Sequence, residues 1–277
     1  MAEAVLPDGT TIEVFRSGDG PVLLLPEDPR PAEGPEADAA RQWGADPELG
    51  RSLLAGLDGF QVVAFPYQAH RMAHPAELTP DLVAADFLAV ADAAGADRFA
   101  YYGYSWLALA GLQLALRTDR LTALVMGGYP PLDGPYAEML AVTRATHEMA
   151  VAGPSAEPAG PVEPGDWDSV DVALSTAQTK QFVTLYEALD GFDDRTVELS
   201  CPRLCFAGSE DRIEYAERWG GVTVDIAGPM LREQAGLRER GWTVEILPGL
   251  DHMGAMQAAV VLPVVRPWLE LVSGGLG

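Results

Sequence analysis

Short apolar runs alternate with amphipathic stretches along most of this sequence. Residues 21–25, 60–65 and 99–103 are predominantly apolar, which is typical of strands buried on both faces of a parallel sheet. Apolar residues recur at helical spacing between such runs, and Thr79 precedes one stretch as a helix-capping residue. Strands and helices that alternate in this way predict an α/β fold with a mostly parallel sheet and helices on both faces.

The pattern predicts the following elements. We expect eight strands, at residues 4–6, 11–15, 21–25, 60–65, 99–103, 121–126, 203–207 and 243–247. We expect helices at residues 47–57, 79–94, 105–117, 136–150, 169–189, 230–240 and 254–271. Residues 26–45 are rich in proline and acid and are predicted to form a loop.

The alternation of strand and helix is interrupted between residues 130 and 199. Two helical pieces there flank residues 152–168, which are rich in proline, glycine and acidic side chains. This predicts a helical cap, residues 130–199, inserted after the sixth strand of a core formed by residues 1–129 and 200–277.

Composition limits the domain count and the partners. A chain of 277 residues with 48% hydrophobic content can bury the core of one domain. Its 41 acidic and 18 basic residues give a formal net charge of -23, which repels nucleic acid and anionic membrane surfaces. We therefore expect a small-molecule substrate and neither of those partners. A homo-oligomer is compatible with the sequence.

The cellular location is expected to be the cytoplasm. The first residues lack the basic start and apolar stretch of a secretory signal, and no apolar run approaches the roughly 18 residues of a membrane span. Cys201 and Cys205 fall on one predicted strand. A spacing of four strand residues separates Cα atoms by about 13 Å, so we expect two thiols rather than a disulfide.

Ser105 stands between a predicted strand and a predicted helix, in the run Gly103-Tyr104-Ser105-Trp106-Leu107. A serine on such a turn projects its hydroxyl above the sheet, and the backbone N–H of Trp106 then points toward a developing oxyanion. Taken alone, Ser105 would be interpreted as a helix N-cap. The turn needs small neighbours on both sides, which Gly103 provides and Leu107 does not.

Two more polar residues follow later strands. Asp211 comes after the strand at 203–207, and His252 comes after the strand at 243–247. Because the carboxyl ends of parallel strands meet at one edge of the sheet, we expect both side chains to lie near Ser105.

The order Ser105, Asp211, His252, each at its own strand end, resembles that of the α/β-hydrolase superfamily. The resemblance spans nearly the whole chain. It implies that Ser105 attacks a carbonyl, that His252 takes the serine proton, and that Asp211 orients the imidazole. Glu210 and Asp251 are alternatives for the acid, but the family's spacing favours Asp211.

The loop after the third strand departs from the family pattern. Where the family commonly has His-Gly, this chain has Leu25-Pro26-Glu27-Asp28. Because proline has no N–H, the second oxyanion donor is expected to be the backbone N–H of Glu27 or Asp28. Two carboxylates there would oppose an oxyanion unless they point away or are protonated.

The remaining candidates carry less chemistry. Tyr104, His147 and Met253 are expected to line a substrate pocket. His70 and His74 have the spacing of zinc ligands on a helix, but the glutamate of the His-Glu-x-x-His motif is absent and Pro75 argues against a helix. No phosphate-binding loop is present in the sequence, so neither a metal nor an organic cofactor is expected.

The leading hypothesis is a serine hydrolase that cleaves a small or medium hydrophobic ester, lactone or thioester through an acyl-enzyme on Ser105. The substrate class rests on analogy with the fold family. A serine nucleophile excludes aspartate-dependent dehalogenase or epoxide hydrolase chemistry. Leu107 and the acidic loop at 27–28 motivate one alternative, a non-hydrolytic cyclase, lyase or acyltransferase, and a ligand receptor on the same fold is another.

Overall fold

The computed structural model describes residues 2–153 and 172–274. The predicted eight-stranded, mostly parallel sheet is confirmed, with the strand order β1-β2-β4-β3-β5-β6-β7-β10. A separate antiparallel pair, β8 and β9, was not predicted. The strand bounds are β1 Ala2–Val5, β2 Thr11–Ser17, β3 Val22–Leu25, β4 Gln61–Ala64, β5 Phe99–Tyr104, β6 Leu121–Gly127, β7 Arg203–Gly208, β8 Arg212–Glu214, β9 Thr223–Asp225 and β10 Trp242–Leu247.

Helices cover both faces of this sheet. Their bounds are α1 Gly34–Gln42, α2 Leu49–Gly56, α3 Tyr67–Ala73, α4 Pro80–Ala93, α5 Trp106–Ala115, α6 Tyr136–Ala152, α7 Thr176–Glu187, α8 Ala227–Arg232, α9 Gln234–Glu239, α10 His252–Met256 and α11 Ala258–Gly274.

One strand, β2, runs opposite to the other seven strands of this sheet. β1 pairs antiparallel with β2, and β2 pairs antiparallel with β4. All later neighbours pair in parallel, with Leu24 opposite Tyr101 and Tyr104 opposite Gly127 in the central strands. The carboxyl ends of β3, β5, β7 and β10 therefore lie along one edge, which is where such sheets bind ligands.

Alternate strand residues fill two separate cores. Leu24 and Tyr101 point to the face covered by α4 and α5. Leu23 and Leu25 point to the opposite face, covered by α2 and α11. Burial on both faces explains why the central strands are apolar at successive positions.

Local signals define several helix ends. Thr79 accepts a hydrogen bond from the backbone N–H of Leu82 at 3.1 Å and begins α4, as predicted. Ser175 and Gln178 form a reciprocal capping box that begins α7. The predicted start of that helix at residue 169 lies outside the described residues.

Other boundaries were wrong. The predicted loop 26–45 contains α1, because the alanine-rich stretch after Pro35 favours a helix. The segment 230–240 forms two short helices that meet at Glu233, and the final helix is interrupted at Gln257, whose backbone is extended.

The expectation of no helix at His70 was also wrong. α3 covers Tyr67–Ala73 and contains His70, whereas His74 is its C-cap. Pro75 restricts only the residue before it, so it sets the end of the helix instead of preventing it.

Cys201 and Cys205 are both free and buried. Within the described ranges, no helix is long and apolar enough to cross a membrane.

Candidate functional site

Ser105 occupies a strained turn between β5 and α5. Its backbone has φ 56° and ψ -130°, a combination that costs energy for any residue with a Cβ and often marks functional sites. Its side chain makes no N-cap hydrogen bond to α5. Ser105 is therefore the N-cap residue of α5 by position, but its side chain does not cap the helix.

Gly103 makes this turn possible on the strand side. A Cβ atom at Gly103 would lie 2.4 Å from the carbonyl oxygen of Leu107 and 2.9 Å from the ring of Tyr101. Leu107 itself is buried in the core and its carbonyl accepts a hydrogen bond from the Tyr101 hydroxyl at 2.8 Å. The close approach therefore constrains position 103, and the leucine at 107 is accommodated by packing inward.

Asp211 and His252 are in direct contact. His252 Nδ1 lies 3.0 and 2.9 Å from the two carboxylate oxygens of Asp211. The Asp211 side chain is fully buried, and its backbone carbonyl accepts N–H bonds from Ile226 and Ala227. A buried carboxylate on Nδ1 holds the proton there and leaves Nε2 as the basic nitrogen.

The two alternative acids have other surroundings. Asp251 accepts a hydrogen bond from the backbone N–H of Gly254 at 2.7 Å and caps α10. Glu210 is exposed. Of the three carboxylates considered, Asp211 is the one hydrogen-bonded to His252.

Tyr104 joins the serine strand to the histidine loop. Its hydroxyl donates to the backbone carbonyl of His252 at 2.8 Å, and the two rings have centroids 5.1 Å apart. Gly128 permits this arrangement, since a Cβ there would lie 2.5 Å from the Tyr104 ring. Tyr104 is buried, so it packs beneath the site.

Trp106 follows the serine as the first residue of α5. Its backbone N–H belongs to the first turn, where N–H groups have no acceptor inside the helix. Its indole Nε1 donates to Gln68 Oε1 of α3 at 3.1 Å, and the ring packs edge-on against Phe182 of α7 at 5.5 Å. The side chain thus fills the space between the core and α7.

Glu27 and Asp28 follow β3, the strand next to β5. Asp28 accepts hydrogen bonds from Arg30 Nε and one terminal guanidinium nitrogen at 2.9 and 2.8 Å. Its backbone carbonyl approaches α2 so closely that a Cβ at Gly50 would lie 2.0 Å from the oxygen. Asp28 is therefore held by Arg30 and cannot turn freely toward the serine.

Glu27 is partly buried, and its carboxyl lies in poorly solvated surroundings. Burial and, to a smaller extent, the negative charge of Asp28 raise its pKa to about 7. Burial raises the pKa of Tyr101 and Tyr102 well above the ordinary value, and the charge of Glu27 adds to both shifts. The Glu27 carboxyl is therefore partly protonated near neutral pH.

Helices α6 and α7 come after β6 and before β7 in the sequence, and they pack on each other. His147 Nδ1 lies 2.9 Å from Thr179 Oγ1, so this histidine joins the two helices. Helix α7 reaches the core through Gln178, which donates to the backbone carbonyl of Met72 at 2.8 Å. Met253 is partly buried in α10, next to His252.

His70 is buried and has structural contacts. Its Nε2 lies 3.0 Å from Thr10 Oγ1, and its ring packs on His74 with centroids 4.9 Å apart. Within the described residues, no three histidine, cysteine, aspartate or glutamate side chains are grouped so that they could hold a metal ion.

The contacts of Tyr104, Gln68 and Gly50 were not anticipated from the sequence. Each joins residues far apart in the chain, and Tyr104 was expected to line a pocket rather than to bond His252. The only sequence signal for Tyr104 is its position in the run Gly103-Tyr104-Ser105.

The sheet order and the turn at Ser105 define a protein of the α/β-hydrolase fold, and solved structures agree. An esterase from Thermogutta terrifontis has a TM-score of 0.60 and 18% identity, over 98% of each chain. An enol-lactonase from Burkholderia xenovorans LB400 has a TM-score of 0.57 and 17% identity, over 96% of this chain and 99% of that one. An epoxide hydrolase from Vigna radiata has a TM-score of 0.56 and 16% identity, over 97% of both.

Neither a protein-family model nor a curated protein matches the chain. At these identities the likeness shows the fold, and the three neighbours are named for different substrates: an ester, an enol-lactone and an epoxide. The reaction of this chain must therefore be argued from its own residues.

Proposed function

We propose that this protein is a serine hydrolase that cleaves small or medium hydrophobic esters, lactones or thioesters. The observation that carries the proposal is the strained turn at Ser105 on the same sheet edge as the Asp211–His252 pair. A backbone held at positive φ is costly, and a nucleophile that must project above the sheet is a physical reason for it.

The proposed reaction proceeds through an acyl-enzyme. Ser105 Oγ attacks the substrate carbonyl while His252 Nε2 takes the hydroxyl proton, and the imidazolium then donates that proton to the leaving group. Asp211 stabilises the imidazolium. Water attacks the acyl-enzyme in the second half, again with His252 as base, and restores the Ser105 hydroxyl.

The oxyanion is stabilised by backbone donors. The Trp106 N–H is one, because it begins α5 with no acceptor in the helix. The other is the N–H of Glu27 or Asp28, which follow Pro26 at the end of the adjacent strand β3. The negative charge of Asp28 is balanced by Arg30.

The proposed substrate pocket lies between this edge and a cap formed by α6 and α7. Trp106 contacts Phe182 of α7, so the cap would meet the core directly beside the nucleophile. Met253 is proposed to border the pocket beside His252. His147 is proposed to border it from within the cap. An apolar wall of this kind suits a hydrophobic acyl or ring group.

Labelling with a fluorophosphonate probe tests the proposal. The probe forms a covalent adduct with an activated serine, and we expect that adduct on the Ser105 peptide of the wild type by mass spectrometry. Ser105→Ala should remain folded and unlabelled. Ser209, a hydroxyl on the loop that carries Asp211, supplies a matched control, since Ser209→Ala should label as the wild type does. A folded wild type without adduct would reject the hydrolase.

One observation favours a second candidate, a non-hydrolytic enzyme such as a cyclase, lyase or acyltransferase. Glu27 is a poorly solvated carboxyl on the oxyanion loop, and a group of that kind can exchange protons with a substrate. An activated Ser105 that takes up the probe but hydrolyses no ester, lactone or thioester would favour this candidate. A ligand recovered unchanged after tight binding would instead indicate a receptor.

A further inference from the structure

We propose that the Glu27 side chain belongs to the reacting centre, where its neutral carboxyl group donates a hydrogen bond to the oxygen that becomes negatively charged. This inference rests on the serine-hydrolase function proposed above and adds a side-chain donor to the backbone donors. The proton remains on Glu27 throughout, so its role involves no covalent bond change.

The sheet register brings Glu27 to the same edge as the serine. β3 runs parallel to β5, with Leu24 opposite Tyr101. Glu27 is the second residue after the end of β3, and Ser105 is the first residue after the end of β5. Both residues therefore leave the sheet at the carboxyl ends of adjacent strands, where ligands bind.

The two acids of this loop have different partners. Arg30 binds the Asp28 carboxylate at 2.8 Å and also binds Glu13 of β2 at 2.8 Å. This cation holds Asp28 on the side of the antiparallel strands. Glu27 is the other acid of the loop, and it is within electrostatic reach of Tyr101 and Tyr102 on β5.

The groups around Glu27 favour its neutral form. Burial and the charge of Asp28 raise its pKa to about 7. From β5, Tyr101 and Tyr102 carry no charge, because burial raises their pKa well above the ordinary value. At the start of α2, its N-cap residue Glu48 pairs with Arg51 of the helix at 3.7 Å.

A neutral carboxyl is a donor, whereas a carboxylate only accepts. A carboxylic acid kept neutral by its surroundings can therefore serve in an oxyanion hole. Ionisation of Glu27 would replace that donor by a negative charge beside the oxyanion. The rate of acylation should then fall as the pH rises through the pKa of Glu27.

The experiment measures the rate of fluorophosphonate labelling of Ser105 from about pH 5 to about pH 9. The full-length wild type is compared with Glu27→Gln and Glu27→Ala, and circular dichroism at each pH verifies the fold. The wild-type rate should fall as the pH rises past neutral, where Glu27 ionises. Glu27→Gln carries an amide donor at every pH, so the fall should disappear.

Glu27→Ala removes the donor altogether. Loss of one oxyanion donor lowers a rate by about a hundredfold or more, so this variant should label slowly at every pH. Asp28→Asn removes the neighbouring charge that helps keep Glu27 neutral. Its alkaline fall should therefore move to lower pH.

Glu3→Gln is the matched control. Glu3 is exposed on β1, which two strands separate from β3, and its variant loses the same single charge. It should reproduce the wild-type profile. An alkaline fall that persists unchanged in Glu27→Gln, or its absence from the wild type, would overturn the role of Glu27. A folded wild type that never labels would reject the hydrolase itself, and this role with it.

Discussion

Tyr104 and His252 are joined by a hydrogen bond of 2.8 Å, although 148 positions separate them in the sequence. The tyrosine hydroxyl donates to the backbone carbonyl of the histidine, so this bond uses neither imidazole nitrogen, and Nδ1 stays bonded to Asp211. Because Tyr104 directly precedes Ser105, this bond fixes the histidine loop relative to the serine turn.

Tyr104→Phe should loosen that connection. Loss of one buried hydrogen bond lowers the free energy of unfolding by about 1 kcal/mol, and the labelling rate of Ser105 should fall because His252 is held less well. Chemical denaturation and fluorophosphonate kinetics measure the two effects. Tyr136→Phe also loses a phenol hydrogen bond, to Asp194 at 3.1 Å, and should lose stability alone. Equal labelling by Tyr104→Phe and wild type would refute a positioning role.

Asp211→Asn should inactivate the protein while leaving it folded. An amide cannot hold the Nδ1 proton as the carboxylate does, and the corresponding change in a serine triad lowers kcat by about 10⁴. The assay is hydrolysis of an ester found in a substrate screen, with thermal unfolding as the test of folding. Glu210→Gln, an exposed neighbour, should retain activity. Comparable losses in both variants would show that Asp211 has no special part.

The sequence predicted the sheet because burial on both faces makes successive strand residues apolar. Strands such as β3 and β5 are apolar at successive positions, and polar residues with reactive side chains follow the carboxyl ends of β5, β7 and β10. The approximate positions of Ser105, Asp211 and His252 relative to the strands could therefore be predicted. Their joint role as a triad stays a prediction.

What the sequence did not reveal depends on contacts between distant residues. The hydrogen bond from Tyr104 is accepted by the main-chain carbonyl of His252. Every residue type has such a carbonyl, so no pattern of residue types predicts this bond. The approach of Gly50 to the Asp28 carbonyl likewise depends on how α2 packs. The short β8–β9 pair lacks the length that makes strand periodicity visible.

The buried ion pair between Arg71 and Asp86 should stabilise the folded protein only while both charged side chains are present. Their side chains are 1% and 0% exposed and lie 2.6 Å apart. Asp86→Ala leaves a buried guanidinium with fewer partners, which costs about 3–5 kcal/mol of unfolding free energy. Urea denaturation measures the loss. Asp81→Ala breaks the exposed pair with Arg117 and should cost at most about 1 kcal/mol; a similar loss in both variants would contradict this account.

His70 should make stability depend on pH. Burial and then the positive charge of Arg71 lower its pKa from 6.5 to about 4, so the folded protein favours the neutral ring. Between these two pKa values the unfolded chain binds a proton that the folded chain does not, and stability falls as the pH decreases. The stabilising contribution of the neutral His70 ring is fully present above pH 6.5. Its loss at low pH lowers the free energy of unfolding by at most about 3 kcal/mol.

His70→Gln removes this titration but keeps a side chain that can bond Thr10. Its unfolding free energy, measured by urea denaturation across the same pH range, should therefore decline less than that of the wild type. Carboxylates titrate in both proteins, so the difference between the two curves isolates the histidine. Parallel curves for wild type and His70→Gln would mean that His70 titrates alike in the folded and unfolded chains.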